Sequence, residues 1–117
     1  MTIQRRQVAT RYSEAAIHQG TVYLAGQVPR NPEADLSAQT RDVLEQVDVL
    51  LAAAGSDRDH LLSVTIYLAD LADYEGMNAV WDAWLSAGHA PPRACVQARL
   101  ADPAWKLEIV VVAAVKD

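Results

Sequence analysis

Cysteine occurs once, at Cys95, so no internal disulfide can form and a scaffold held by cross-links is excluded. Lysine is almost as scarce: Lys106 and Lys116 are the only two, and neither lies in a context that buries and activates an amine, which excludes Schiff-base or pyridoxal chemistry carried by the chain itself. Long apolar runs are missing as well. The longest, Ile109 to Val115, is seven residues, far short of a membrane span, so no membrane partner is expected. The N-terminal residues lack the charged-then-apolar layout of a secretion signal, and a cytoplasmic location is the expectation. Positive charge is sparse and scattered. Ten basic residues against fifteen acidic give a net charge of −5 with no stripe to follow a phosphate backbone, so no nucleic-acid partner is expected. Arg5, Arg6 and Arg11 form the nearest approach to a basic cluster and read as a solvated surface. The three histidines, His18, His60 and His89, have no cysteine or carboxylate at ligand spacing, and no metal site is expected.

What is present describes a compact folding unit. The 117 residues are read as a single domain, 1–117, with 51% hydrophobic and 21% charged side chains, too apolar for disorder. A first strand is expected near Ile3 to Val8 and another at Thr21 to Ala25, ended by Gly26 and the turn residues Gln27 to Pro32. From Ser37 to Ala54 the apolar positions Val43, Leu44, Val47, Leu50 and Leu51 recur at three and four, predicting an amphipathic helix capped by Asp35 or Ser37 and closed by Gly55. Leu61 to Ala69 alternates as a strand, with Leu62, Val64, Ile66 and Leu68 on one face. A second helix opens at Asp70 or Asp73 and runs to near Gly88, with Tyr74, Met77, Asn78, Trp81 and Trp84 along one side. Asn78 is the polar member of that stripe and needs a partner for its amide, for which a hydrogen bond to a nearby loop suffices.

The segment Pro91 to Leu100 carries the chemistry. Drawn as a strand, it puts Ala94, Val96, Ala98 and Leu100 on one face and Arg93, Cys95, Gln97 and Arg99 on the other. A guanidinium on a strand is a rigid planar fork that matches a carboxylate, so this face reads as a small-acid site; a strand with one solvated face alternates in the same way. Cys95 has no histidine near it in sequence and reads as a small buried thiol, not a nucleophile. Leu107 to Val115 is the last strand, apolar on both faces apart from Glu108.

Two helices cover only about four strands on one face of a sheet, so the other face needs a different cover. With Val22, Leu62 and Val96 turned to the helices, the open face is expected to hold Thr21, Tyr23 and Ala25, then Ser63, Thr65 and Tyr67, then Arg93, Cys95 and Gln97. Burial against copies of the same chain, with a pocket left between them, is the expected solution. Arg93 and Glu108 share a face only if the last hairpin pairs residues whose numbers sum to an odd value; otherwise Glu108 acts across a subunit boundary or at a strand end, or is structural.

Several segments, in order, resemble the RidA/YjgF family: Gly26-Gln27-Val28-Pro29, Ala38-Gln39-Thr40, Ala53-Ala54-Gly55, Asn78, Pro92-Arg93-Ala94-Cys95-Val96 and Lys106-Leu107-Glu108-Ile109. The likeness runs over nearly the whole chain and is nearest the YoaB-like branch, through Ile66-Tyr67-Leu68-Ala69-Asp70, Met77-Asn78, Trp81-Asp82-Ala83-Trp84 and Ala87-Gly88-His89-Ala90-Pro91. The resemblance implies an α+β, chorismate-mutase-like fold, a mixed β-sheet with two α-helices on one face, assembled as a homotrimer with sites between subunits. It implies cofactor-free hydrolysis of reactive enamines and imines, such as 2-aminoacrylate and 2-iminopropanoate, to a 2-oxo acid and ammonia. Carried over by motif, Arg93 holds the substrate carboxylate and Glu108 activates or positions water. Cys95, Tyr12, Asn78, Ala25 and Gly26 line the pocket. The family's best-studied deaminases have a serine where this chain has Ala25, so one hydroxyl is missing here.

Physically, an iminium carbon is already electrophilic, and placement of water and acid is most of the task. The alternative reading is a non-catalytic trimer that binds a small carboxylate as a metabolic sensor, needing Arg93 but not Glu108. Ribonuclease and holdase chaperone, both labels carried by the family, are the third; the acidic balance opposes the first.

Overall fold

The computed structural model describes residues 2–117. Six strands form one mixed sheet: β1 (Gln4–Val8), β2 (Ser13–His18), β3 (Thr21–Leu24), β4 (Leu61–Leu68), β5 (Arg93–Gln97) and β6 (Leu107–Ala114), in the spatial order β1-β2-β3-β6-β4-β5. Two helices, α1 (Leu36–Ala53) and α2 (Tyr74–Trp84), lie on one face. This is the expected α+β arrangement. All neighbours in the sheet are antiparallel except β4 and β5, which run parallel and are joined through α2 as a βαβ unit.

The expected elements are present, with β2 as an addition. Its inward residues are Ala15 and Ile17, too few and too small to stand out as a strand pattern, yet His18-Gln19-Gly20-Thr21 closes a tight hairpin in which Gln19 and Gly20 both take positive φ, 52° and 79°. Helix α1 begins as its composition requires, with Asp35 accepting a hydrogen bond from the Ala38 amide at 2.9 Å, and it ends before Gly55 at φ 82°. Helix α2 stops at Trp84, short of the expected Gly88. There Arg58 Nη1 donates to the Trp84 carbonyl at 2.6 Å, satisfying a helix-end acceptor, and Leu85 turns extended.

Alternation decides what each strand buries. Val64, Ile66 and Leu68 of β4 and Leu107, Ile109 and Val111 of β6 are buried beneath the helices, against Val43, Val47 and Leu51 of α1 and Met77 and Trp81 of α2. Each such side chain contributes about 1.5–3 kcal/mol when fully buried. Leu62 breaks the expected pattern: a register shift between Leu61 and Ser63 leaves Leu61 inside and turns Leu62 to solvent. No helix among the described residues is long and apolar enough to cross a membrane.

Candidate functional site

Strand β5 corrects the expected faces. Its parallel register sets Arg93 beside Val64, Cys95 beside Ile66 and Gln97 beside Leu68, all residues of the helix-covered face. Arg93, Cys95 and Gln97 therefore lie on the side of α2, while Ala94 and Val96 join Thr65 and Tyr67 on the open face. The cause is the position of β5. It is the edge strand of a βαβ unit, where the cover is the polar and aromatic flank of α2 and not the centre of the core, so a long arginine stem fits where a leucine is expected.

Arg93 is gripped there by one turn of α2. Its Nη1 donates to Asn78 Oδ1 at 2.9 Å and its Nη2 to the Tyr74 hydroxyl at 3.2 Å. The guanidinium carbon also stands over two rings, 5.5 Å from the Trp81 centroid and 5.8 Å from that of Tyr74. Asn78 thus finds its partner in a side chain on a distant strand and not in a loop. Tyr74 was readable on the same helix face, four residues before Asn78, but nothing in the pattern distinguished it from a packing residue. Cys95, two residues on, packs against the core margin; burial pushes its thiol pKa up, and the Arg93 cation only partly offsets this. Gln97 is used structurally, its Oε1 accepting from the Leu71 amide at 2.9 Å.

Glu108 lies elsewhere. Strands β5 and β6 do not form a hairpin, because β4 runs between them, and Glu108 pairs with Tyr67 on the open face. It borders a cleft of about 300 Å³ that Tyr67, Arg99 and Val110 also line. Gly26 abuts its carboxylate so closely that any Cβ added there would collide with Oε2. Two buried amides hold this half of the site. Gln27 exchanges both backbone hydrogen bonds with Ile109, while its side chain donates to the Ala25 carbonyl at 2.9 Å. Gln39 donates to the carbonyls of Ala34 and Ala104 and accepts from the Lys106 amide at 2.8 Å, tying α1 to the turn that launches β6. Both glutamines stand in the segments that carry the family resemblance, but nothing in the sequence pattern gave either one a structural role.

Tyr12 sits in the turn before β2, with its side chain 58% exposed. The pairing of Ala15 with Leu24, and of the Ala25 amide with the Glu14 carbonyl, brings Tyr12 to the same end of the sheet as Ala25 and Gly26. The expected site residues thus fall into two groups within one chain. Arg93, Asn78 and Cys95 are on the helix side at one edge. Glu108, Gly26, Ala25 and Tyr12 gather towards another end.

Residues 2–115 match the family described as Endoribonuclease L-PSP. The chain belongs to the RidA/YjgF family. It is similar to the RutC family protein YoaB of Escherichia coli K12, 48% identical over 98% of this chain and 100% of YoaB. It is equally similar to a RutC family protein of Haemophilus ducreyi, 48% identical over 97% of each chain. A solved YjgF family structure from Neisseria meningitidis matches with a TM-score of 0.97 and 50% identity, covering 100% of this chain and 98% of that one. The six-stranded mixed sheet with two helices on one face is therefore the RidA/YjgF fold, and the relation to YoaB places this member on the YoaB-like branch.

Proposed function

We propose that this protein hydrolyses reactive 2-imino and 2-enamino acids of the 2-iminopropanoate type to 2-oxo acids and ammonia, in clefts between the subunits of a cytoplasmic homotrimer. The observation that carries the reading is Arg93: a guanidinium backed by two aromatic rings, with two of its five N–H donors tied to the protein and the other three left for a ligand carboxylate. Aromatic backing removes water from one side of the cation, and the Asn78 and Tyr74 bonds hold its plane. A rigid, partly desolvated fork is what carboxylate recognition asks for.

The separation of the two groups supports assembly. Arg93 and Glu108 are two strands and three residues apart, roughly 14 Å between backbones, and on opposite faces. A small imino acid cannot touch both in one chain. A neighbouring copy that docks its β5 edge by the open face of the next brings them together, and that face offers an apolar band of Tyr23, Val112, Val110 and Val96 for the contact.

In the assembled cleft, water adds to the carbon of the protonated imine as Glu108 takes its proton, giving a neutral carbinolamine. Glu108 returns that proton to the nitrogen, the C–N bond breaks and ammonia leaves, and the hydroxyl proton passes to Glu108 or solvent as the carbon keeps oxygen as a ketone. Arg93 holds the carboxylate throughout, and Tyr12, Ala25, Gly26, Asn78 and Cys95 border the space. No electrons are exchanged, so no cofactor is required. A positioned proton acceptor is worth about 10²- to 10⁴-fold in rate.

The test is ammonia release from freshly generated 2-iminopropanoate. The wild type should exceed the spontaneous rate, Arg93→Ala should fall to it, and Arg93→Lys should recover little because a point charge cannot replace the fork. Unchanged turnover in Arg93→Ala rejects the reading. A wild type with no turnover that is still stabilised by 2-oxo acids would instead be a metabolite-sensing carboxylate binder, and Glu108→Gln would leave that stabilisation intact. The mass of the native assembly, measured in solution, tests the trimer.

A further inference from the structure

We infer that Tyr74 is a second carboxylate-binding residue, donating its hydroxyl proton to the same substrate carboxylate that Arg93 holds. The argument starts from the direction of one hydrogen bond. Arg93 has only N–H groups to give, so in the 3.2 Å contact between Nη2 and the Tyr74 hydroxyl the arginine donates and the phenol oxygen accepts. The phenol proton is then free, and it has no protein acceptor among the described residues. It sits beside the unpaired N–H groups of the guanidinium, on a side chain that is 38% exposed.

A phenol that accepts from a cation becomes a better donor, because hydrogen bonds in a chain polarise one another. A carboxylate docked on the free N–H groups of Arg93 therefore meets a third, polarised donor at the edge of the fork. Asn78 meets the guanidinium through Oδ1, which only accepts, so the Tyr74 hydroxyl is the group that both accepts from Arg93 and keeps a proton to give. Trp81 does not supply this donor: it is 4% exposed and offers a ring face to the cation. Placed on the first turn of α2, Tyr74 also walls the outer side of the guanidinium. That favours a compact acid group, as in a short 2-oxo or 2-imino acid.

The inference rests on Arg93 being the carboxylate receptor, and the experiment separates the two claims. Pyruvate, the product of the proposed reaction, is titrated calorimetrically into the full-length wild type, Tyr74→Phe and Arg93→Ala, and the kinetic constants for 2-iminopropanoate are measured beside them. Tyr74→Phe keeps the ring over the guanidinium and removes one oxygen, so its unliganded melting temperature should stay within about 2 °C of wild type. Its Kd for pyruvate should rise about tenfold or more, and its KM likewise, with kcat nearly unchanged, because the acid group is held equally in ground and transition states. Arg93→Ala should remove binding. Pyruvate binding by Tyr74→Phe within about twofold of wild type, with Arg93→Ala still defective, overturns the role of Tyr74 and leaves Arg93 standing. Pyruvate binding unaltered in Arg93→Ala overturns both.

Discussion

Gly26 lies against the carboxylate of Glu108 so tightly that hydrogen is the only side chain the space accepts. The nearest atom is Oε2, the far end of a flexible side chain, so Gly26→Ala is relieved by moving the carboxylate and not the backbone. Stability should change by no more than about 1 kcal/mol. Activity should not be spared: with Glu108 displaced from its place beside β3, ammonia release should fall about 10²-fold or more, as in Glu108→Gln. Thermal melts and imine turnover on both variants check this, and full activity in Gly26→Ala would remove Glu108 from the mechanism.

Asn78 sets the orientation of Arg93 through one neutral oxygen, 2.9 Å from Nη1. Asn78→Asp replaces that oxygen with a charged acceptor of the same shape, which binds the guanidinium as a substrate carboxylate would. The variant should fold normally yet bind 2-oxo acids at least about tenfold more weakly, because the receptor is occupied and its charge cancelled. Asn78→Ala should lose less, since the fork is loosened but still empty. Titration of pyruvate into both variants tests the order, and equal binding by Asn78→Asp and wild type would show that the amide does not address the ligand-binding side of the arginine.

The helices and most strands were legible because their periodicities are strong: Val43, Leu44, Val47, Leu50 and Leu51 are all buried, as the repeat of three and four demands. The faces of β5 were not. Alternation separates two sides of a strand without saying which side is covered, and apolar residues are expected inside. At an edge strand under α2 that expectation inverts. Ala94 and Val96 are left open, and Arg93 finds Tyr74 and Trp81. The parity rule for Arg93 and Glu108 failed for a related reason: it assumed that strands adjacent in sequence pair, whereas β6 inserts between β3 and β4. Arg93 stood out from the alternation of its strand and Asn78 as the polar member of a helix stripe, Gly26 and the role of Glu108 came from motif order, and the division of these residues between two regions came only from the fold.

Acid should weaken the junction of the Val28–Pro32 turn with α1. Burial tends to raise the Asp42 pKa, but hydrogen bonds from the Arg30 amide and guanidinium outweigh it and hold the carboxyl below its usual value. A carboxyl depressed in the folded state contributes stability that is fully present above the unfolded pKa, near 4, and is lost as pH falls through the lower folded value. The wild type should therefore lose melting temperature below about pH 4 more steeply than Asp42→Asn, which should be less stable at neutral pH and nearly equal at low pH. Parallel acid titrations of the two melting curves test the sign. A constant gap between them down to the lowest pH would mean that the Arg30 contact carries no linkage.

Cys95 gives the sharpest distinction between a wall of the pocket and a reacting group. Its thiol is pushed up by burial, with Arg93 only partly opposing, so the thiolate is scarce at neutral pH and alkylation should be slow. Iodoacetamide at pH 8, followed by intact mass, should label the native protein at least about tenfold more slowly than the urea-unfolded chain. Because nucleophilic attack needs the thiolate and a neighbouring base, and α2 offers Asn78, Tyr74 and Trp81 to this strand but no histidine, Cys95→Ala should keep imine hydrolysis within about threefold of wild type. Rapid native labelling together with a loss of about 10²-fold in Cys95→Ala would instead make the reaction covalent, and the direct attack of water at the imine carbon would have to be abandoned.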